Sequence, residues 1–179
     1  GISVYQLLDL HDFPGQGTAL VGLLDAFWDS KNILSAAEFR QFCAPVVPLL
    51  QFSKAVYTND EVFEGILDIS NYGAATLRDQ LVEWSMKDGT KTIAKGHFQT
   101  VVGQGYNGNV GCFEVPLQVI QQAKKLTVHI NLKGTSYENH WNIWVYPKEN
   151  QIDFVDVSYT RELGEALRLL QAGKKVYRS

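Results

Sequence analysis

From Leu126 to Lys133 the chain alternates strictly. Leu126, Val128, Ile130 and Leu132 are separated by Thr127, His129, Asn131 and Lys133. A helix would scatter the four aliphatic residues around its surface, whereas an extended strand puts all of them on one side. Such a strand has one dry face and one wet face, the mark of an antiparallel sheet. The same period runs through Val82, Trp84 and Met86, set between Glu83, Ser85 and Lys87. Asp88-Gly89 then supplies hairpin chemistry leading into Thr92–Val101.

Further strand candidates are Phe52–Tyr57, Val62–Ser70, Asn109–Val115 and Tyr137–Tyr146. Turn signals separate them at Asn59-Asp60, Asn71-Tyr72-Gly73, Asn107-Gly108 and Lys133-Gly134. About seven short strands at this spacing predict an immunoglobulin-like antiparallel β-sandwich, without the disulfide of antibody domains. Residues 47–150 hold it.

The segments on either side read differently. Ser3–Leu10 is a mostly apolar run of strand length, suited to a strand buried on both faces. Asp12–Thr18 is turn chemistry. Ser35 and Glu38 have capping-box spacing, so a helix is expected over Ala36–Cys43, stopped by Pro45 and Pro48. At the other end Phe154–Ser158 is strand-like. Thr160 is placed to cap a helix with Leu163, Leu167 and Leu170 on one face, Gly173 suits its C-terminus, and Lys174–Tyr177 begins a second strand. The expectation is a βα remnant in residues 1–46 and the start of a βαβ unit in 151–179. Neither suffices as a domain, so both read as pieces cut from larger ones.

Composition narrows the function classes. The 179 residues carry a net charge of −3 with no basic block, which leaves no electrostatic footprint for nucleic acid. At 45% hydrophobic and 12% aromatic the chain is not of disordered type. No apolar run is long enough for a membrane span. Cys43 and Cys112 are too few for a disulfide framework and are expected as separate thiols. Neither a P-loop nor a nucleophile elbow occurs. The four histidines are scattered, so neither a metal site nor any other cofactor is expected, and no carboxylate pair stands out as catalytic.

Two constellations carry candidate binding residues. His11 and Asp12 open a loop after an apolar strand, where a barrel places its substrate loops. The other reading of that loop is a structural turn in which Asp12 caps the local backbone. In the last strand of the sandwich, Trp141, Ile143 and Val145 share one face, and Asn142, Trp144 and Tyr146 share the other. If the first set fills the core, Trp144 and Tyr146 point outward, either to be covered by a neighbouring domain or to stack on the apolar face of a sugar ring.

The stretch Tyr5-Gln6-Leu7-Leu8-Asp9-Leu10-His11-Asp12-Phe13-Pro14-Gly15-Gln16-Gly17-Thr18-Ala19-Leu20-Val21-Gly22, with Leu24–Lys31 and Glu38–Cys43, resembles the end of the catalytic barrel in bacterial proteins related to glycoside hydrolase family 2, of the β-galactosidase-like kind. Asn59-Asp60-Glu61 fits the same group. The resemblance implies that residues 3–43 are the eighth strand and last helix of a (β/α)8 barrel, followed by an immunoglobulin-like accessory domain and a further domain from about residue 152. It implies a retaining parent enzyme, whose two glutamates would stand about 5–5.5 Å apart. Both belong to barrel strands upstream of Gly1, so no catalytic residue is carried over to this chain. It further implies an oligosaccharide or polysaccharide substrate for the parent, contact with neighbouring domains of the same chain, and a periplasmic or secreted location. The sequence thus predicts a non-catalytic accessory part of a carbohydrate-active enzyme. Its rival is a free-standing carbohydrate-binding or adhesion-type module, in which the N-terminal strand would join the sandwich sheet.

Overall fold

The computed structural model describes residues 7–15, 20–148 and 157–178. The fold is mainly β and divides into two compact units, Gly1–Pro147 and Lys148–Ser179.

In the first unit, helix α1 (Ala36–Phe42) begins where the capping box places it. The Glu38 N–H donates to Ser35 Oγ at 3.2 Å, and the Ser35 N–H donates back to the Glu38 carboxylate at 2.8 Å. Eight strands follow: β1 (Val46–Gln51), β2 (Val56–Thr58), β3 (Val62–Asn71), β4 (Leu77–Asp88), β5 (Lys91–Val102), β6 (Gly105–Pro116), β7 (Lys124–Leu132) and β8 (Glu138–Tyr146). They form a three-stranded sheet ordered β1-β3-β6 and a five-stranded sheet ordered β2-β8-β7-β4-β5. All pairings are antiparallel except β2 with β8.

The alternating residues do what their period requires. Leu126, Val128, Ile130 and Leu132 are fully buried, as are Val82, Met86, Ile143 and Val145. From the other sheet Phe63, Leu67 and Ile69 enter the same cluster, so the two sheets share one core. Asp88-Gly89 makes the expected tight hairpin, with Asp88 facing Lys91 across the β4–β5 turn.

Several expectations are corrected. The strand expected over Phe52–Tyr57 is only the short β2, and β1, at Val46–Gln51, precedes it. Pro48 sits inside β1 because this is an edge strand. Its carbonyl accepts from Asn139 Nδ2 at 3.1 Å, on the side away from β3, where a missing N–H costs no ladder bond. Asn107-Gly108 is not a turn but lies within β6. The Asn107 amide instead braces the β5–β6 connection, donating to the Gly103 carbonyl and accepting from the Gly103 N–H, both at 2.8 Å.

The N-terminal strand is corrected over its described part. Leu7–Leu10 is not a strand, and Leu8 is 77% exposed. The backbone pairs only locally, through a parallel bridge of His11 with Leu24. An apolar run acquires strand geometry by pairing, and this run adjoins no strand edge. Residues 3–6 of that expected strand lie outside the described residues.

In the second unit β9 (Val157–Thr160) and β10 (Lys175–Arg178) pair in parallel, joined by helix α2 (Leu163–Gln171). Of the strand expected over residues 154–158, 154–156 lie outside the described residues, and the strand continues past residue 158 to Thr160. The N-cap is Glu162, not Thr160. The Thr160 hydroxyl accepts the Glu162 N–H at 3.1 Å and donates to Glu165 at 2.7 Å, a turn that delays the helix by two residues. Gly173, at φ 76°, closes the helix as expected. Its N–H donates to the Leu170 carbonyl and that of Lys174 to Leu169, the paired bonds of a Schellman ending.

Candidate functional site

The outward face of the five-stranded sheet is built by register. Glu83, Ser85 and Lys87 on β4 stand opposite Asn131, His129 and Thr127 on β7, which stand opposite Glu138, His140 and Asn142 on β8. On the other flank β5 brings His97 opposite Glu83, Lys95 opposite Ser85 and Thr92 opposite Lys87. All of these except Thr127, His140 and Asn142 line a cleft of about 590 Å³ over the middle of the sheet.

Its electrostatics follow from position. The His129 and His140 rings stack at 5.6 Å. Burial lowers the pKa of His129, the charges of Lys87 and His140 lower it further, and Glu138 opposes them. Below its ordinary value the imidazole is neutral near pH 7, with one donor and one acceptor nitrogen. Glu83 is engaged by Lys133 at 3.3 Å and Asp88 by Lys124 at 3.2 Å. Among the described residues neither Lys87 nor Lys95 has a carboxylate partner. The cleft therefore offers hydrogen-bonding groups of both kinds and two uncommitted ammonium groups.

Beyond Asn142 the same face becomes aromatic. Trp144 lies opposite Lys125 on one side and Val56 on the other, and Tyr146 lies opposite Thr58. Trp144 is 39% exposed and Tyr146 43%, while Ile143 and Val145 are fully buried and Trp141 packs on the core. The strand phase read from sequence is the one observed. From Glu138 to Tyr146 the face runs about 27 Å at ~3.4 Å per residue.

His11 and Asp12 are not near this face in role. Asp12 is 6% exposed, and its carboxylate is already occupied. The Gly22 N–H donates to it at 2.8 Å, and Lys31 Nζ donates to both oxygens at 2.9 and 3.1 Å. The Lys31 hydrogen bond is the main cause that holds the Asp12 carboxyl below its ordinary pKa. His11 Nδ1–H donates to the Asp12 carbonyl at 2.7 Å, and its ring packs on Trp28 at 4.3 Å. These contacts tie a loop together.

A second buried carboxylate, Asp68, is likewise committed. It accepts from the Asn109 N–H and the Tyr106 hydroxyl, both at 2.7 Å, and from the Gln51 amide. Burial alone would raise its pKa, but these three donors outweigh it and the net direction is down.

Sequence reasoning named Trp144 and Tyr146 as candidates, and both are partly exposed, but it did not bring Lys87, Lys95, His97 and Glu138 together as one group. It recognised the wet phase of Thr127, His129 and Asn131. Which residues of β4, β5 and β8 stand beside them depends on register, which the sequence does not print. Among the described residues no group of three or more His, Cys, Asp or Glu is arranged to hold a metal ion. No helix there is long and apolar enough to cross a membrane.

Residues 61–147 match the family model described as a domain of unknown function (DUF8488). No curated protein matches the sequence. Among solved structures the chain is similar to a β-glucosidase, EmGH1, from Erythrobacter marinus. That match has 11% identity and a TM-score of 0.43, covering 56% of this chain and 15% of the other. It is similar also to a β-glucuronidase from Parabacteroides merdae, at 8% identity and a TM-score of 0.37, covering 56% and 14%. The sporulation control protein Spo0M from Bacillus subtilis matches at 12% identity and a TM-score of 0.43, covering 72% and 55%. The chain thus spans about 15% of the length of the first of these glycosidases and 14% of the second.

Proposed function

We propose that this chain is a non-catalytic accessory part of a carbohydrate-active glycoside hydrolase, in which an immunoglobulin-like sandwich stands beside the catalytic barrel and contacts glycan. The observation that carries the reading is the continuous outward face of the five-stranded sheet. There the exposed Trp144 and Tyr146 lie at the far end of β8 on the same outward face as a cleft of amide, imidazole, carboxylate and ammonium groups. Aromatic surface beside convergent hydrogen-bonding groups suits a sugar, which has an apolar ring face and polar edges.

The strand order supports the immunoglobulin-like part of the reading. The chain crosses between the two sheets at β1–β2, β2–β3, β3–β4, β5–β6 and β6–β7. In a free-standing module the N-terminal segment would join a sandwich sheet. Its described part, Leu7–Leu10, joins none, which favours the accessory reading. The resemblance of residues 4–43 to the end of a barrel supports the same choice, with residues 1–46 as barrel, 47–150 as sandwich and 151–179 as a further domain.

The test has two arms. Chromogenic galactosides, glucosides and glucuronides are expected to survive incubation with the chain. Electrophoresis through gels containing plant or bacterial polysaccharides is expected to retard it. Turnover abolished by mutating one acid of this chain contradicts the non-catalytic part. Unretarded migration in every polysaccharide contradicts the glycan part.

A further inference from the structure

We infer that the cleft over the middle of the five-stranded sheet recognises an acidic glycan, holding a carboxylate or sulfate group of the sugar between Lys87 and Lys95. The inference rests on the glycan-contacting reading above and names the class of sugar.

The argument starts from charge placement. Three carboxylates stand on or beside the cleft, yet Glu83 and Asp88 are taken by Lys133 and Lys124. Glu138 lies on β8, on the far side of β7 from Lys87. Lys87 and Lys95 are left as the uncommitted cations of the cleft. Lys95 faces Ser85, two residues along β4 from Lys87. Such diagonal neighbours stand about 7–8 Å apart, within reach of two flexible side chains converging on one anion. Ser85 and Thr92 supply hydroxyl donors between them, and His129 adds an imidazole facing Ser85 from β7.

The adjoining row is of the opposite character. Glu83, Asn131 and Glu138 lie side by side across three strands, with His97 at the end. This row accepts hydrogen bonds from sugar hydroxyls and repels an anionic substituent. A ligand with one charged group and several hydroxyls therefore has one favoured orientation, with its anion toward Lys87 and Lys95. A neutral sugar satisfies the acceptor row but leaves both ammonium groups without a counter-charge. The cleft volume of about 590 Å³ falls in the range of small-ligand sites.

The experiment is calorimetric titration of the full chain with three probes of equal length: an oligogalacturonate, a chondroitin sulfate oligosaccharide and a neutral β-1,4-galacto-oligosaccharide. One acidic probe is expected to bind about tenfold or more tightly than the neutral one at low salt, and the preference is expected to shrink as salt rises. Which acidic probe wins distinguishes carboxylate from sulfate. The double variant Lys87→Met, Lys95→Met is expected to lose the preference while keeping neutral-sugar binding and an unchanged near-UV spectrum. Lys174→Met, in the second unit, is expected to behave as the unaltered chain. Equal binding of acidic and neutral probes, or a preference that survives the double variant, overturns this inference and leaves the glycan reading standing. Binding of none of the three overturns the glycan reading itself.

Discussion

Trp84 and Gly96 stand opposite each other on β4 and β5, and a Cβ on Gly96 would lie 2.6 Å from Trp84 Nε1. The indole occupies the space a side chain would take, and from there stacks on Phe113 of the other sheet at 4.0 Å and 13°. The bare position on one strand thus sets how the two sheets meet. Gly96→Ala is expected to destabilise the protein by about 1–3 kcal/mol through overpacking. Trp84→Ala is expected to cost about 3–5 kcal/mol. In the Trp84→Ala background the alanine at position 96 should cost little, because the clash is gone. Urea unfolding of the four proteins checks this, and a neutral Gly96→Ala in the unaltered chain contradicts it.

Asp68 gives an acid-side prediction. Its folded pKa lies below the unfolded value of about 3.9, so its stabilisation is complete above that pH and is lost as pH falls through the folded pKa. Asp68→Asn sets an amide N–H₂ against donors and is expected to cost about 1–3 kcal/mol at neutral pH. The gap between variant and parent should close on acidification. A gap that stays constant to the acid limit contradicts the ionised, triply bonded carboxylate.

Tyr57 predicts the reverse effect. Its ring is buried beside Phe63, and among the described residues its buried hydroxyl has no hydrogen-bond partner. Tyr57→Phe removes an unsatisfied polar atom and keeps the packing. Stability is expected to hold or rise, by up to about 1 kcal/mol. A clear loss in thermal or urea unfolding contradicts the orphaned hydroxyl.

The Asp12–Lys31 pair predicts a local effect. A Cβ at Gly22 would lie 2.3 Å from the His11 carbonyl carbon, so Gly22 is held close by the Asp12 carboxylate. Lys31→Met is expected to speed hydrogen exchange at the Gly22 amide while leaving the β7 amides unchanged. Unchanged exchange at Gly22 contradicts the loop brace.

What was legible in the sequence was whatever one strand or one helix encodes alone. The dry face of β7, the Asp88-Gly89 hairpin, the Ser35–Glu38 capping box and the phase of Trp144 against Trp141 all follow from spacing. What was not legible depended on partners. Pro48 reads as a strand breaker until β1 is seen to be an edge. Leu7–Leu10 reads as a buried strand but adjoins no strand edge. Asn107-Gly108 reads as a turn, although the Asn107 side chain bonds back to Gly103 from within β6. The cleft is the same problem at larger scale. Lys87, Lys95, His129 and Glu138 come from four strands, and only the register brings them together.

The central claim is that the face ending in Trp144 contacts glycan, and tryptophan fluorescence tests it most directly. Titrating the full chain with oligosaccharides is expected to give saturable quenching that disappears in Trp144→Ala, with the near-UV spectrum otherwise preserved. The absence of a response to any sugar, together with self-association that Trp144→Ala abolishes, would contradict the claim and make this face a protein interface.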